Sequence, residues 1–418
     1  MSKSGKRKTN KKKNLNSSSN GSFKVFVSEL LEAMDLLKLP EEHFNLSREN
    51  LRLMYETGIC MKNPVRGNDF IQPIEVRTLG RILKRYYRRR KFPVGGARLT
   101  LMQIGKLCSL FRWEGISQSK KSEKDPALEK VIKEIEELIY KDYCNFWLEC
   151  CFNLMAFSSN PSKKYYSFEF NCDIVENGAP KLVFYLSVSA YPAREYGFTL
   201  GGIYRPAYRL GYGSLGGQLE WVNISRDQVK DHYKGEKQEI EVFIQSHALH
   251  RIKERLDYFN DILLNYWIFW NTIKLKGIQS YKDYLLIPFE VFDIKVGYFA
   301  ATILDEKLLI RSFLFLTHSS TPEGDKLKEL TGLGKYDVSY WRIDRYSTFM
   351  GLKEKEYPHL KELFSQAGLQ DLFKLREFGH SRDKLLANPF DELMAFLERG
   401  RKAEVVQEKE WMDFLEFA

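Results

Sequence analysis

The chain has 418 residues, 44% of them hydrophobic and 29% charged, which is enough apolar material for a sizeable core and too much for a chain disordered throughout. Its net charge of +10 is unevenly spread: residues 1–14, MSKSGKRKTNKKKN, hold seven basic residues (Lys3, Lys6, Arg7, Lys8, Lys11, Lys12, Lys13) and no acidic one, so the remainder is nearly neutral. The six cysteines form no C-x-x-C pair and no regular framework. They read as reduced thiols of a cytoplasmic protein rather than a disulfide scaffold.

Residues 1–22 read as a disordered basic tail suited to loose, salt-sensitive contact with nucleic acid. No apolar segment follows its charges, so no secretory leader is expected. Residues 23–160 read as a helical domain. SRENLRLMYETG opens at Ser47, three residues before Asn50, and closes at Gly58. EVRTLGRILKRYYRRRK places Leu79, Ile82, Leu83 and Tyr86 on one stripe. ARLTLMQIGKLCSLF is read as one further helix, and another starts with Asp125 as cap and Pro126 at its first position. The lipid-like stretches CNFWLECCFNLMAF and LLNYWIFWNTI are too short to span a bilayer, so they read as core helices and no membrane partner is expected.

From about Lys163 the hydrophobic period falls to two. Residues 161–236 read as an antiparallel β-rich segment, with a hairpin at Asn177-Gly178. Residues 237–351 read as an α+β unit: strand EIEVFIQ, a helix capped by Ser246, a hairpin turning at Asp305–Lys307, and a helix with Ser320 and Glu323 spaced as a capping box and Gly332 at its end. Residues 352–418 read as a helical extension. The fold class is α+β.

GYGSLG, Gly211–Gly216, matches the glycine pattern of a dinucleotide loop, but a strand pattern follows it where that loop needs a helix, so it reads as a hairpin or bulge. LKRYYRRRK interleaves tyrosines with Lys84, Arg85, Arg88, Arg89 and Arg90; it suits nucleic-acid contact and equally a solvated helix face. Thr100 ahead of Ile104-Gly105 has a faint helix-turn-helix character. No histidine or cysteine spacing makes a metal shell, and neither a metal nor a cofactor is expected.

The densest ionisable pattern is SHALHRIKERLDYF, residues 246–259. Its helical projection buries Leu249, Ile252, Leu256, Phe259 and Leu263 and turns His247, Arg251, Glu254, Arg255 and Tyr258 outward. His247 falls in the first turn, where the helix dipole and Arg251 and Arg255 disfavour imidazolium, leaving a neutral base beside fixed guanidiniums.

Residues 241–351 resemble small bacterial modules grouped with the barnase- and RelE-like toxin ribonucleases. The resemblance rests on Ser246, His247, Ala248, Arg251 and Arg255, then on strand IRSFLFLTH with Arg311, Ser312 and Thr317. It implies His247 as base or acid, Arg251 and Arg311 as phosphate ligands, and Thr317 as a minor donor, with Arg255 among the nucleic-acid contacts. Strand alternation sets Arg311 and Thr317 on one face and His318 on the other, which leaves His318 as a second-choice proton donor. The expected function is RNA binding, RNA before DNA, with metal-independent endoribonuclease activity. The alternative is a non-catalytic scaffold for nucleic acid or a protein partner.

Overall fold

The computed structural model describes residues 9–118, 126–177, 179–229, 232–351 and 358–378. The protein is α+β. It divides into two compact units that do not follow chain order: unit 1 gathers residues 1–65, 77–150 and 170–187, and unit 2 gathers 66–76, 151–169 and 188–418. The helical domain expected over 23–160 is therefore completed from further along the chain.

In unit 1, helix α1 (Thr9–Leu36) reaches back into the stretch expected to be a loose tail. Its lysines are adequate helix formers once the turns bearing Phe26, Leu30, Ala33 and Met34 are buried. The tail residues before Thr9 lie outside the described residues. Helix α2 (Arg48–Thr57) starts at Ser47, whose hydroxyl accepts from the Asn50 amide, and stops at Gly58. Two short strands follow, β1 (Cys60–Met61) and β2 (Val65–Arg66). Helix α3 (Pro73–Arg89) begins with Pro at its first position and buries Leu79, Ile82, Leu83 and Tyr86 as the stripe requires.

The stretch read as one helix from Ala97 is instead a hairpin, β3 (Lys91–Val94) with β4 (Ala97–Thr100), followed by α4 (Leu101–Gln118). The capping chemistry explains the break: the Gln103 amide donates to the Thr100 hydroxyl, and the Thr100 amide donates to Gln103 Oε1 at 2.8 Å, so Thr100 starts a helix rather than lying within one. The same hairpin separates α3 from α4 and removes the helix-turn-helix reading. Helix α5 (Pro126–Ser158) has Pro126 first; Asp125 lies outside the described residues. Strands β5 (Lys164–Asn177) and β6 (Ala179–Pro192) pair with each other, and β1 adds to β6 in parallel.

Unit 2 is organised on one eight-stranded sheet. Strands β7 (Glu195–Leu200) and β8 (Ile203–Arg209) turn at Gly201-Gly202, both at positive φ. Strands β9 (Gly211–Gly213) and β10 (Leu219–Trp221) make the hairpin read from GYGSLG. Strand β11 (Asn223–Ser225) pairs with β12 (Glu239–Gln245). Helices α6 (Ser246–Arg255) and α7 (Asp261–Ile273) precede β13 (Gln279–Tyr281), β14 (Tyr284–Val291), β15 (Ile294–Leu304) and β16 (Lys307–Phe315). The sheet order is β13-β14-β15-β16-β12-β8-β7, with β11 also on β12. The segments read as separate, 161–236 and 237–351, thus share one sheet. β12 has two edges of unpaired peptide groups, and β8 and β16 satisfy them from both sides.

Helix α8 (Pro322–Thr331) is capped by Thr321, not by Ser320: the buried Thr321 hydroxyl accepts from the Gly324 amide, and Gly332 closes the helix at φ 73°. Helices α9 (Lys335–Tyr340) and α10 (Tyr346–Gly351) follow. Of the expected helical extension, the described part comprises α11 (Pro358–Gln366) and a 3-10 segment, Gln370–Phe378.

Candidate nucleic-acid interface

β12 leaves the sheet at Gln245 and enters α6 with no intervening loop. Gln245 holds the cap position and makes no side-chain cap bond, so Ser246 is the first helical residue rather than the cap. Ala248 and Ile252 are buried, and α6 packs along β16. The helix ends at Arg255, and α7 restarts after Asn260, whose side chain accepts from the Leu263 amide. The predicted stripe is therefore shared between two helices, although Ile252, Leu256, Phe259 and Leu263 are all buried.

The outward face of α6 divides into two halves with different duties. In the C-terminal half Arg255 pairs with buried Asp344 and with Glu254, while Arg345 reaches Glu254 and Asp257. The Ser347 amide and hydroxyl donate to Asp257 at 3.0 and 2.8 Å. Burial raises the Asp344 pKa, and the guanidiniums of Arg255 and Arg345 oppose that rise. Arg255, read as a nucleic-acid contact, is a clamp that fastens the chain between α9 and α10 to α6.

In the N-terminal half His247 is exposed overall, yet the protein against its ring lowers its pKa, and Arg251, Arg205 and His250 push the same way. Arg205 comes from β8, which pairs with β12 through Ala207 and Gln245. Arg251 is half-buried and makes a local bond to Glu254 at 2.5 Å.

His318 completes the group. Its pKa is pushed down to about 4, chiefly by burial and then by Lys335, Arg255 and Arg251. The Ser320 amide donates to its Nδ1 at 3.1 Å, so the neutral ring carries its proton on Nε2. His318 is thus a neutral hydrogen-bond donor at ordinary pH, and His247 is the imidazole available as a base. Arg251 disfavours protonation of both rings, as Arg205 of β8 does for His247 and Lys335 of α9 does for His318.

Two residues of the resemblance stand apart from it. Thr317 is 1% exposed and donates to the Ile343 carbonyl at 3.0 Å, so its hydroxyl is committed to the fold. Strand β16 ends at Phe315, before Thr317 and His318, and strand alternation does not govern their directions. Arg311 is the extra residue of a β-bulge: Ala301 pairs with Ile310 and Ala300 with Ser312, leaving Arg311 between them. It is not among the leading charges acting on either imidazole.

The α3 residues are distributed around their helix. Lys84 and Arg88 are exposed and border a cavity; Arg81, Arg85 and Arg89 run at four-residue spacing, close enough that Arg81 and Arg89 lower the Arg85 pKa after burial does. Arg90 pairs with Glu149 at 3.1 Å and lies over the Phe92 ring.

Sequence reasoning missed Arg205, Lys335 and the aromatics beside them. Tyr336 is 88% exposed and Trp341 64%, flanked by Lys335 and Arg342; Tyr204, next to Arg205, is 64% exposed with its ring over Gly197. The stretch KYDVSYWRIDR carries the same interleaving of basic and aromatic residues that singled out LKRYYRRRK, and that criterion finds it.

Among the described residues, no three His, Cys, Asp or Glu side chains are grouped to hold a metal ion, and no helix is long and apolar enough to cross a membrane. Comparison with protein-family models, with curated proteins and with solved structures finds no match to this chain.

Proposed function

We propose that this chain binds single-stranded RNA through the outward face of α6. The observation that carries the reading is the group of cations Arg205, Arg251 and Lys335, from β8, α6 and α9, beside the neutral imidazoles of His247 and His318, with Tyr336 exposed next to Lys335 and Trp341 exposed next to Arg342. Guanidinium and ammonium groups serve the phosphates, and exposed rings serve unpaired bases, which a duplex would keep stacked. The free thiols Cys60, Cys108, Cys150, Cys151 and Cys172 fit a reducing, cytoplasmic setting.

The test is fluorescence anisotropy of a labelled single-stranded RNA, with a duplex RNA and a single-stranded DNA beside it, over a range of salt. Arg251→Ala with Lys335→Ala should weaken binding about tenfold and flatten the salt slope by roughly 0.7 per lost phosphate contact, while leaving thermal unfolding in place. Equal affinity in the double variant sinks the assignment of this face.

A second reading is favoured by one observation, the neutral His247 beside Arg251. In metal-independent cleavage His247 takes the proton of a 2′-hydroxyl, the 2′-oxygen attacks phosphorus, and the bond to the 5′-oxygen breaks. The products are a 2′,3′-cyclic phosphate and a 5′-hydroxyl protonated from water, with Arg251 stabilising the phosphorane. RNA incubated in EDTA should then gain cyclic ends, and His247→Ala should abolish them. Intact RNA with binding retained leaves the non-catalytic reading standing.

A further inference from the structure

Unit 1 contains a cavity of about 580 Å³ whose wall is formed by Phe26 and Glu29 of α1, Tyr55 of α2, Cys60 and Met61 of β1, Lys84 and Arg88 of α3, and Met102 and Lys106 of α4. Its volume lies in the range of small-molecule sites and exceeds what a bare inorganic anion needs. Three of these side chains are cationic and one is anionic. Lys106 is only 6% exposed, and its ammonium pairs with Glu29. That pairing uses the carboxylate and leaves Lys84 and Arg88, one helical turn apart, with no ion-pair partner among the described residues.

Burial lowers the Lys106 pKa, the bond to Glu29 opposes that fall, and Arg88 is near enough to add to it. With three cations to one carboxylate the wall is net positive, which favours an anionic ligand over a cationic one. The rest of the wall suits a flat, partly apolar body. The Tyr55 ring is held edge-on by Phe23 and Phe26 at 5.7 and 5.6 Å, and the thioethers of Met61 and Met102 are soft surfaces for a π system.

From the cavity, its unpaired cations and its aromatic wall, we propose that unit 1 binds a small organic phosphate of nucleotide size, the phosphate held by Lys84 and Arg88 and the base against Tyr55 and Phe26. The proposal is independent of the RNA reading, since every residue it uses belongs to unit 1.

The experiment is equilibrium dialysis of the full-length protein with radiolabelled AMP and ATP, with inorganic phosphate as competitor and decanoate as an apolar anion. Saturable one-to-one nucleotide binding is expected, displaced only at high concentration by phosphate. Lys84→Ala with Arg88→Ala should weaken it tenfold or more through lost charge-assisted bonds. Val25→Trp, at a half-exposed position of the wall, should block the cavity without disturbing the core. Thermal unfolding measured on each variant separates lost binding from lost fold. Absence of saturable nucleotide binding, binding undiminished in both folded variants, or decanoate bound in place of nucleotide would each overturn the proposal.

Discussion

Asp344 and Arg255 show how one ion pair decides the meaning of a dense charge pattern on a helix. The Asp344 side chain is almost wholly buried and Arg255 nearly so, so removing one partner strands the other in a poor solvent. Asp344→Ala should cost about 3–5 kcal/mol in urea unfolding, whereas Asp344→Leu with Arg255→Met should recover most of that loss. Full destabilisation in the double variant would mean that packing, not the stranded charge, sets the cost. His318 makes a pH prediction at the same scale. Its folded pKa of about 4 lies below the ordinary imidazole value of 6.5, so the unfolded chain takes up a proton first as pH falls. The stability linked to this ring is complete above about 6.5 and drains away between there and about 4, by on the order of 3 kcal/mol. His318→Asn keeps an acceptor for the Ser320 amide and cannot titrate; its unfolding free energy should fall less between pH 7 and pH 4.5 than that of the parent. Equal slopes would show that the imidazole is not the titrating group.

At the level of elements, the hairpin β9–β10 explains its own glycines. A Cβ on Gly213 would lie 2.0 Å from the Tyr166 carbonyl oxygen, which is backbone and cannot swing aside, whereas a Cβ on Gly216 would meet nothing closer than 3.8 Å. Gly213→Ala should therefore destabilise by more than about 2 kcal/mol, and Gly216→Ala should be tolerated. A phosphate-cradling loop would give no reason for that asymmetry, and comparable losses at both positions would remove the hairpin explanation. Elements with local causes were legible beforehand: the Ser47 cap, the buried stripe of α3 and the hairpin turn at Asp305–Lys307. Elements whose cause is distant were not. Thr321 outcompetes Ser320 as a cap because its one hydroxyl proton is also held between the Leu316 and His318 carbonyls, and the bulge at Arg311 depends on the register of β15 against β16. The turn at Phe292-Asp293 has positive φ at both residues and no glycine to announce it. The site followed the same division. Residues on α6 were readable from its own periodicity, but Arg205, His318 and Lys335 join them only through the tertiary arrangement of β8, β16 and α9.

For the molecule as a whole, the division into units predicts which pieces stand alone. A fragment of residues 1–160 matches the helical run in the sequence but lacks 170–187, including Val183 and Phe184, which pair with β1, and Phe170, whose ring lies 5.1 Å from Trp147. That fragment should bind a hydrophobic dye and melt without a cooperative transition; a sharp calorimetric peak would show that unit 1 does not need its returning hairpin. Synthesis on the ribosome gives this interleaving a temporal meaning. The first 150 residues leave the exit tunnel well before the pair of strands that finishes their core, so the nascent chain must carry an open apolar seam for the time taken to translate some forty further codons. Slower decoding there would lengthen the interval in which another chain can fill the gap.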